Sequence, residues 1–172
     1  MEELEKTYLL KFVPVGLENA ETKEVLDIYL PSTSDHAVLR IRKSGTKYEI
    51  TKKVPVVQGD ASRHLETTIP LTEEEYGELS TLSGKRVRKI RYFFEKDGSN
   101  FEIDVFKDGL DGLVLVDIEF ATIAEKDAFA IPDFCLVDVT QEKFIAGGML
   151  CGKSYADIQE DLNRFDYKKV TM

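Results

Sequence analysis

The sequence predicts an α+β fold in which an eight-stranded antiparallel β-barrel forms a tunnel, with helices packed outside it. Apolar and polar residues alternate with a period of two over most of the first two-thirds of the chain, as in strands with two unlike faces. Short glycine-containing turns separate several of these runs, and strands joined by such hairpins are antiparallel. Helical patterns fill the gaps and dominate the last third. About eight strands connected in this way can close into a barrel.

The alternation predicts strands over residues 3–12, 25–30, 37–43, 46–54, 64–70, 85–96, 100–107 and 113–120. Tight hairpin turns are predicted at residues 43–46 (Lys-Ser-Gly-Thr) and 96–99 (Lys-Asp-Gly-Ser), where glycine supplies a positive φ. A third, looser turn is predicted at residues 108–112. Each turn lies between two predicted strands, which favours neighbouring antiparallel pairs.

Two helices are predicted between and after the strands. Thr72 followed by Glu75 is typical of a capping box and predicts a helix over residues 73–82. A last helix over residues 154–165 places Tyr155, Ile158 and Leu162 along one side. Both helices need an apolar surface to pack on, which the outer faces of a barrel would provide.

The composition is that of one folded domain, predicted to span residues 1–172. Of the 172 residues, 42% are hydrophobic and 32% charged, and the net charge of −9 argues against a nucleic-acid-binding surface. Cys135 and Cys151 are too few for a disulfide framework. The N-terminus has no apolar signal segment, and no apolar run is long enough to span a bilayer. These features predict a reduced, cytoplasmic setting without a membrane partner.

Charged residues repeat on one face of several predicted strands. The shared faces carry Glu3 with Glu5, Arg40 with Arg42, Glu49 with Lys53, Lys89 with Arg91, Glu102 with Asp104, and Asp117 with Glu119. In an ordinary half-buried sheet such faces look at water. Here three strands carry acidic pairs (Glu-x-Glu, Glu-x-Asp and Asp-x-Glu) and another carries Arg-x-Arg, and the predicted helices require the apolar faces to point outward. The alternative interpretation, that the charged faces line a closed lumen, is therefore favoured.

Buried charges must be paired or bound to ions, so a charged lumen predicts its own ligands. Sorted carboxylates suit hard cations such as Mg²⁺ or Mn²⁺. Arginine forks suit phosphate oxygens. Together they predict a polyphosphate bound with divalent metal ions.

These residues resemble the CYTH superfamily, also called triphosphate tunnel metalloenzymes, over nearly the whole chain. The similar elements, in order, are residues 3–7 (Glu-Leu-Glu-Lys-Thr), 38–45 (Val-Leu-Arg-Ile-Arg-Lys-Ser-Gly), 48–53 (Tyr-Glu-Ile-Thr-Lys-Lys), 89–92 (Lys-Ile-Arg-Tyr), 101–106 (Phe-Glu-Ile-Asp-Val-Phe), 113–120 (Leu-Val-Leu-Val-Asp-Ile-Glu-Phe) and 138–140 (Asp-Val-Thr). A lone Glu-x-Glu would be weak support, but these elements occur in the family's order. The resemblance implies the family's eight-stranded antiparallel tunnel.

The resemblance also implies a metal-dependent hydrolase of inorganic or organic triphosphates, with a small-molecule substrate and a monomeric or homodimeric state. By the same resemblance Glu3, Glu5, Asp104, Asp117 and Glu119 would bind Mg²⁺ or Mn²⁺, and Arg40, Arg42, Lys53 and Arg91 would bind triphosphate oxygens. Glu3, Glu5 and these four cations form the implied catalytic set. Lys89 is a further substrate-binding candidate; Lys85 and Lys153 are weaker ones. His36 and His64 are interpreted as incidental, and the cysteines as packing residues.

One position departs from the family pattern. Thr7 stands where the family has lysine, Lys6 points to the other face, and Lys11 lies roughly 13 Å further along the strand. Two alternatives therefore stay open beside the triphosphatase. One is cyclisation of ATP by a class IV type adenylate cyclase, and the other is non-catalytic binding of polyphosphate or nucleotide.

Overall fold

The computed structural model describes residues 2–172, and its framework is nine β-strands. They are β1 (Glu2–Leu10), β2 (Glu21–Leu30), β3 (Leu39–Ser44), β4 (Lys47–Pro55), β5 (Arg63–Leu71), β6 (Lys85–Lys96), β7 (Ser99–Phe106), β8 (Val114–Phe120) and β9 (Cys135–Asp138). Eight of the nine match predicted strands. β2 is longer than predicted, since it begins at Glu21 and pairs with β6 from its first residue.

The strands close into a barrel. Their order is β5-β4-β3-β2-β6-β7-β8-β1-β9, all neighbours are antiparallel, and an additional β5–β1 pairing joins the two ends of the eight-stranded ring. The closure is short, running from Glu2 opposite Leu65 to Leu4 opposite Arg63. Beyond it, on the same edge of β1, β9 pairs with Tyr8–Leu10. The predicted eight-stranded antiparallel barrel is confirmed.

The hairpin between β6 and β7 turns where the sequence predicts. Asp97 (φ 52°) and Gly98 (φ 75°) both adopt positive φ, the combination that a two-residue type I′ turn requires. The turn fixes the register that places Arg91 opposite Asp104. A local turn sequence thus determines which charged groups meet inside the barrel.

Four short α-helices accompany the barrel. They are α1 (Glu73–Leu79), α2 (Ile123–Ala128), α3 (Gly147–Leu150) and α4 (Tyr155–Asn163), with 3₁₀ turns at Leu17–Asn19, Asp108–Leu110 and Lys143–Ile145. The predicted capping box of α1 is present, with the Thr72 side chain accepting from the Glu75 N–H. α2 was not predicted from the sequence, although Thr122 and Glu125 form the same box. No helix in residues 2–172 is long and apolar enough to cross a membrane.

Two apolar clusters flank the polar interior. One covers the outer faces of β1, β7 and β8 and includes Tyr8, Ile103 and Val116. The other combines α4 with the barrel's apolar end, where Leu9, Val87 and Phe106 continue the inward-facing rows that carry charges further along the same strands. The interior therefore changes from charged to apolar along the barrel. Cys135 and Cys151 are buried free thiols in these clusters.

Candidate functional site

A cavity of about 530 Å³ occupies the barrel interior. The sequence-predicted metal-binding and substrate-binding residues all line it: Glu3 and Glu5 from β1, Arg40 and Arg42 from β3, Lys53 from β4, Lys89 and Arg91 from β6, Asp104 from β7, and Asp117 and Glu119 from β8. Residues from six separate strands therefore meet in one space, as the alternation in the sequence predicts. Lys85 and Lys153 are not among the described residues that line it.

The charges in this cavity do not balance. Its lining contains eleven aspartate or glutamate side chains and six lysine or arginine side chains. Carboxylates that are held close together in a partly desolvated space repel one another. Added cations would relieve this repulsion, so the cavity as a whole favours a cationic ligand.

Lys53 lies among the carboxylates at one end of β1. Its Nζ is 2.6 Å from Glu3 Oε2, 3.2 Å from Glu5 Oε2 and 3.6 Å from Glu66 Oε2. Burial lowers the pKa of Lys53, but the neighbouring Glu5 and Glu3 outweigh it and hold the pKa above its ordinary value. Burial raises the pKa of Glu5, but the charge and hydrogen bond of Lys53, together with other nearby positive charges, have the larger opposite effect. The pKa of Glu5 therefore lies below its ordinary value. Lys53 is therefore protonated and screens the two glutamates from each other.

Arg91, Lys89 and Asp104 form a denser cluster on β6 and β7. Arg91 donates from Nε and Nη2 to the two carboxylate oxygens of Asp104, both at 2.7 Å. Lys89 also donates to Asp104, and Arg91 contacts Glu102. Asp104 is 1% exposed, and although burial raises its pKa, the Arg91 and Lys89 charges hold the pKa well below the ordinary value. Both oxygens of Asp104 thus already have cationic partners.

Asp117 and Glu119, on β8, are in the opposite situation. Burial, Glu5 and Asp104 raise the pKa of Asp117 to about 7. Burial and the charges of Glu102, Glu3 and Glu5 raise the pKa of Glu119. Thr7 lies beside them, where its hydroxyl donates to Asp117 Oδ1 at 2.7 Å. A neutral hydroxyl at this position adds no positive charge beside the carboxylate of Asp117.

Neither Lys6 nor Lys11, the lysines nearest to Thr7 in the sequence, replaces the lysine that the family has at this position. β1 ends at Leu10, so Lys11 is outside the strand and exposed. Lys6 lies on the outer side, against a separate surface pocket with Lys126 and Asp138.

Sequence reasoning missed several residues of the cavity. Asp27 and Tyr29 reach it from β2, Glu66 and His64 from β5. His36 also lines the cavity, so both histidines that were interpreted as incidental lie at the site. Burial and the Lys53 charge lower the pKa of His64, and its Nδ1 is buried without a hydrogen-bond partner among the described residues. Asp27 had a usable signal, because it is a lone charge in the apolar run Val-Leu-Asp-Ile-Tyr-Leu at residues 25–30.

The donor chemistry fits a divalent cation. In residues 2–172 no three His, Cys, Asp or Glu groups are already arranged as a metal site, because Glu3 and Glu5 turn to Lys53 and Asp104 turns to Arg91. However, Asp117 and Glu119 remain carboxylates whose pKa values are raised by burial and by neighbouring carboxylates, Glu5 among them. Oxygen donors of this kind suit Mg²⁺, Mn²⁺ or Ca²⁺.

The CYTH domain sequence model matches residues 5–129 of the chain. The chain belongs to the CYTH domain family. This CYTH protein is 35% identical over 145 residues to an inorganic triphosphatase of Nitrosomonas europaea, a match that covers 83% of this chain and 92% of the relative.

Solved structures agree on the fold. A crystal structure of an inorganic triphosphatase superposes with a TM-score of 0.64 at 29% identity, covering 88% of this CYTH chain and 95% of the other. A Bacillus halodurans protein provisionally named an adenylate cyclase gives a TM-score of 0.53 at 16% identity, covering 99% of this chain and 92% of the other. The second likeness concerns the fold alone. The predicted family and its barrel are confirmed.

Proposed function

We propose that this protein is a metal-dependent hydrolase of triphosphates, with inorganic triphosphate as the first substrate to test and organic triphosphates as the next. The observation that carries the proposal is the joint placement of sorted arginines, lysines and carboxylates in one barrel cavity. The relationship to an inorganic triphosphatase supports the same reaction. The fold without these side chains would support no particular chemistry.

The cationic side chains would bind and align the substrate. Arg40, Arg42, Lys53, Lys89 and Arg91 converge from β3, β4 and β6 on the cavity. Phosphoryl transfer depends mainly on positioning and on charge stabilisation, and this set would provide both to the phosphate oxygens. Their contribution is to hold the chain of phosphates so that water can attack the terminal phosphorus in line.

We assign metal binding to Glu3, Glu5, Asp117 and Glu119. A triphosphate brings several further negative charges into a cavity that already has an excess of carboxylates, so cations must accompany it. When bound, Mg²⁺ or Mn²⁺ would neutralise phosphate oxygens and activate water. Asp104 was predicted to be a metal ligand, but its contacts with Arg91 and Lys89 favour a role in holding those two cations.

Non-catalytic binding of a polyphosphate or nucleotide is the second candidate, and Thr7 is the observation that favours it. Thr7 contributes a hydroxyl where the family has an ammonium group, and it donates to Asp117 instead of to a ligand. A site that lacks this charge could still hold an anion and its metal ions. Nothing in the geometry specifically favours ATP cyclisation, which remains an outcome of the test.

The test is a substrate screen with the purified protein. Triphosphate, ATP and thiamine triphosphate are each incubated with Mg²⁺ or Mn²⁺ and with excess EDTA, and released phosphate and cyclic AMP are quantified. We expect phosphate release from triphosphate that needs the added metal. Calorimetric binding of triphosphate without turnover would establish the non-catalytic alternative. Undiminished hydrolysis in EDTA would show that the metal assignment is wrong.

We further propose that residues 1–172 act as one domain in the cytoplasm, as a monomer or homodimer. The predicted partner is the small-molecule triphosphate, with neither nucleic acid nor membrane involved. The acidic composition argues against nucleic acid as the partner, since a net charge of −9 repels it. Sedimentation velocity would distinguish the two oligomeric states.

A further inference from the structure

β2 contributes a carboxylate to the cavity that neither the metal site nor the phosphate-binding set includes. Asp27 lies directly opposite Arg42 of β3 in the strand register. Arg42 donates from Nε to Asp27 Oδ1 at 2.7 Å and from Nη2 to Oδ2 at 2.8 Å. This is the parallel, two-bond arrangement that fixes the plane of a guanidinium group as well as its position.

Both side chains of the pair are largely buried. Asp27 is 3% exposed and Arg42 8% exposed. Burial raises the pKa of Asp27, but the Arg42 charge outweighs it and brings the pKa to about 2, so the carboxylate is ionised at any physiological pH. Breaking one partner of such a pair would leave the other charge buried and uncompensated. The arrangement of Arg42 is therefore set before any ligand arrives.

The geometry divides the donors of Arg42 into two groups. A guanidinium group has five N–H donors, and Asp27 occupies one on Nε and one on Nη2. The remaining three donors, on Nη1 and Nη2, are not bonded to Asp27. Because Arg42 lines the cavity, they are available to a ligand there. Because the plane cannot rotate without breaking two bonds, these donors have a fixed direction.

The neighbouring arginine is held differently. Arg40 lies opposite Tyr29 in the register, its Nε is buried without a hydrogen-bond partner, and its Nη2 is 3.6 Å from Glu66 Oε2. This Arg40–Glu66 distance is longer than either of the two bonds between Arg42 and Asp27. The two-bond contact of Arg42 with Asp27 therefore fixes its plane by an arrangement that the Arg40–Glu66 contact does not share.

We propose that Asp27 is a positioning residue that acts through Arg42, fixing the direction of its free donors towards the phosphate oxygens in the transition state. This inference rests on the proposed triphosphatase function. It predicts that removing Asp27 lowers kcat more than it raises KM. An arginine that has rotated can still bind a phosphate, but it no longer aligns the phosphate for attack.

A double-mutant cycle tests the proposal. Asp27→Asn, Arg42→Lys and the double variant are compared by steady-state kinetics on triphosphate with Mg²⁺, with urea unfolding as a check on the fold. We expect Asp27→Asn to lower kcat by about 10- to 100-fold with less than about a 3-fold change in KM. In the Arg42→Lys background the same change should cost less than about 3-fold, because the group it positions is gone. Equal, additive losses in both backgrounds would overturn the proposal.

Asp108→Asn is the matched control. Asp108 makes the same two-bond contact with Arg88, at 2.8 and 2.7 Å, but on the exposed outer surface of the barrel. We expect its kinetics to equal those of the wild type. An equal loss of kcat in Asp108→Asn would show that such pairs act on the barrel as a whole, and would also overturn the positioning role.

An activity-independent measurement keeps the proposal testable if a variant is unstable or the protein does not hydrolyse triphosphate. Nitrogen-15 NMR of arginine side chains should show a slowly exchanging Nε–H for Arg42 in the wild type, assigned by its loss in Arg42→Lys. That signal should survive Asp108→Asn and disappear in Asp27→Asn or Asp27→Ala. A freely exchanging Arg42 in the wild type would sink the inference, whereas absent turnover with a protected Arg42 would count only against the proposed function.

Discussion

Asp104 and Asp117 lie on neighbouring strands of the same barrel, yet their surroundings are opposite. Asp104 gives both oxygens to Arg91 and contacts Lys89, whereas Asp117 accepts from the Thr7 hydroxyl and is 4.0 Å from Arg91. The pKa of Asp104 is held well below its ordinary value by those two cations against the effect of burial, and that of Asp117 is raised to about 7 by burial and by Glu5.

The same contrast extends to two walls of the cavity. The paired wall contains Asp27 with Arg42, and Asp104 with Arg91 and Lys89. The acidic wall contains Glu3, Glu5, Asp117 and Glu119. On the paired wall the protein supplies the counter-charges itself. On the acidic wall Lys53 supplies one, and the rest would come with the ligand, which is where a metal ion accompanying a phosphate would be stabilised.

The largest expected effect is on the acidic wall. Glu5→Gln or Glu119→Gln should reduce metal-dependent phosphate release by about 100-fold or more, because each removes an anionic ligand while nearly preserving shape. Steady-state assays at several Mg²⁺ concentrations would measure the loss and show whether excess metal restores activity. Glu160→Gln on the exposed side of α4 is the control and should be neutral. Full activity in the Glu5 variant would contradict the assignment of metal binding to the acidic wall.

A substitution on the paired wall should lower the free energy of unfolding. Asp104→Asn leaves Arg91 and Lys89 buried without their counter-charge, and it should lower the free energy of unfolding by about 3 kcal/mol. Glu119→Gln should be neutral or stabilising in the metal-free protein, because it relieves repulsion. Urea unfolding of both variants in EDTA provides the comparison. Equal destabilisation would mean that the two walls do not differ.

A pH series would sharpen the contrast at a single residue. The carboxyl of Asp117 has a pKa of about 7 in the folded protein and 3.8 when unperturbed, so between these values the folded state holds a proton that the unfolded state has lost. Its contribution to stability therefore falls as pH rises from about 4 to 7. At pH 8 the metal-free Asp117→Asn variant should be more stable than the wild type by on the order of 2 kcal/mol. Urea midpoints at pH 5, 6, 7 and 8 would measure this, and parallel curves for the two proteins would contradict it.

The smallest expected effect concerns Thr7. Thr7→Lys would place an ammonium group beside Asp117 and the phosphate site, and we expect kcat on triphosphate to rise a few-fold, by more than KM falls. The measurement is steady-state kinetics of both proteins with the same metal. A lower kcat, with a wild type that already turns over rapidly, would show that this site works without the family's lysine.

The sequence predicted the barrel and most of the charged residues that line it, because one property, period-two alternation, determines both. Glu3, Arg40 and Asp117 each lie on the predicted face, and the closed barrel then brings those faces together. The resemblance to the family supplied the chemistry. The Thr72 and Glu75 capping box located α1, and the equivalent Thr122 and Glu125 would have located α2.

The sequence did not reveal which charged side chains contact one another inside the barrel. The alternation places Asp104 and Asp117 on equivalent inward faces, and the resemblance to the family implied metal binding for both. Only the register, in which Arg91 lies opposite Asp104, separates their surroundings. Asp27 was overlooked for a related reason, since its partner Arg42 lies on another strand and a single acid in an apolar run forms no repeated pattern.

The edge of β1 is shared between two strands that are remote in the chain. β5 pairs with its first residues and β9 with Tyr8–Leu10, while Thr140 of the segment after β9 accepts from the Thr7 N–H at 3.0 Å. The family match ends at residue 129, before β9 begins. A chain cut at that boundary would leave Leu9 and Leu10 on an open edge, a template for intermolecular strand addition. A variant truncated at the family boundary should therefore aggregate. Its loss of solubility would come from the uncovered edge of β1, which β9 protects in the full chain.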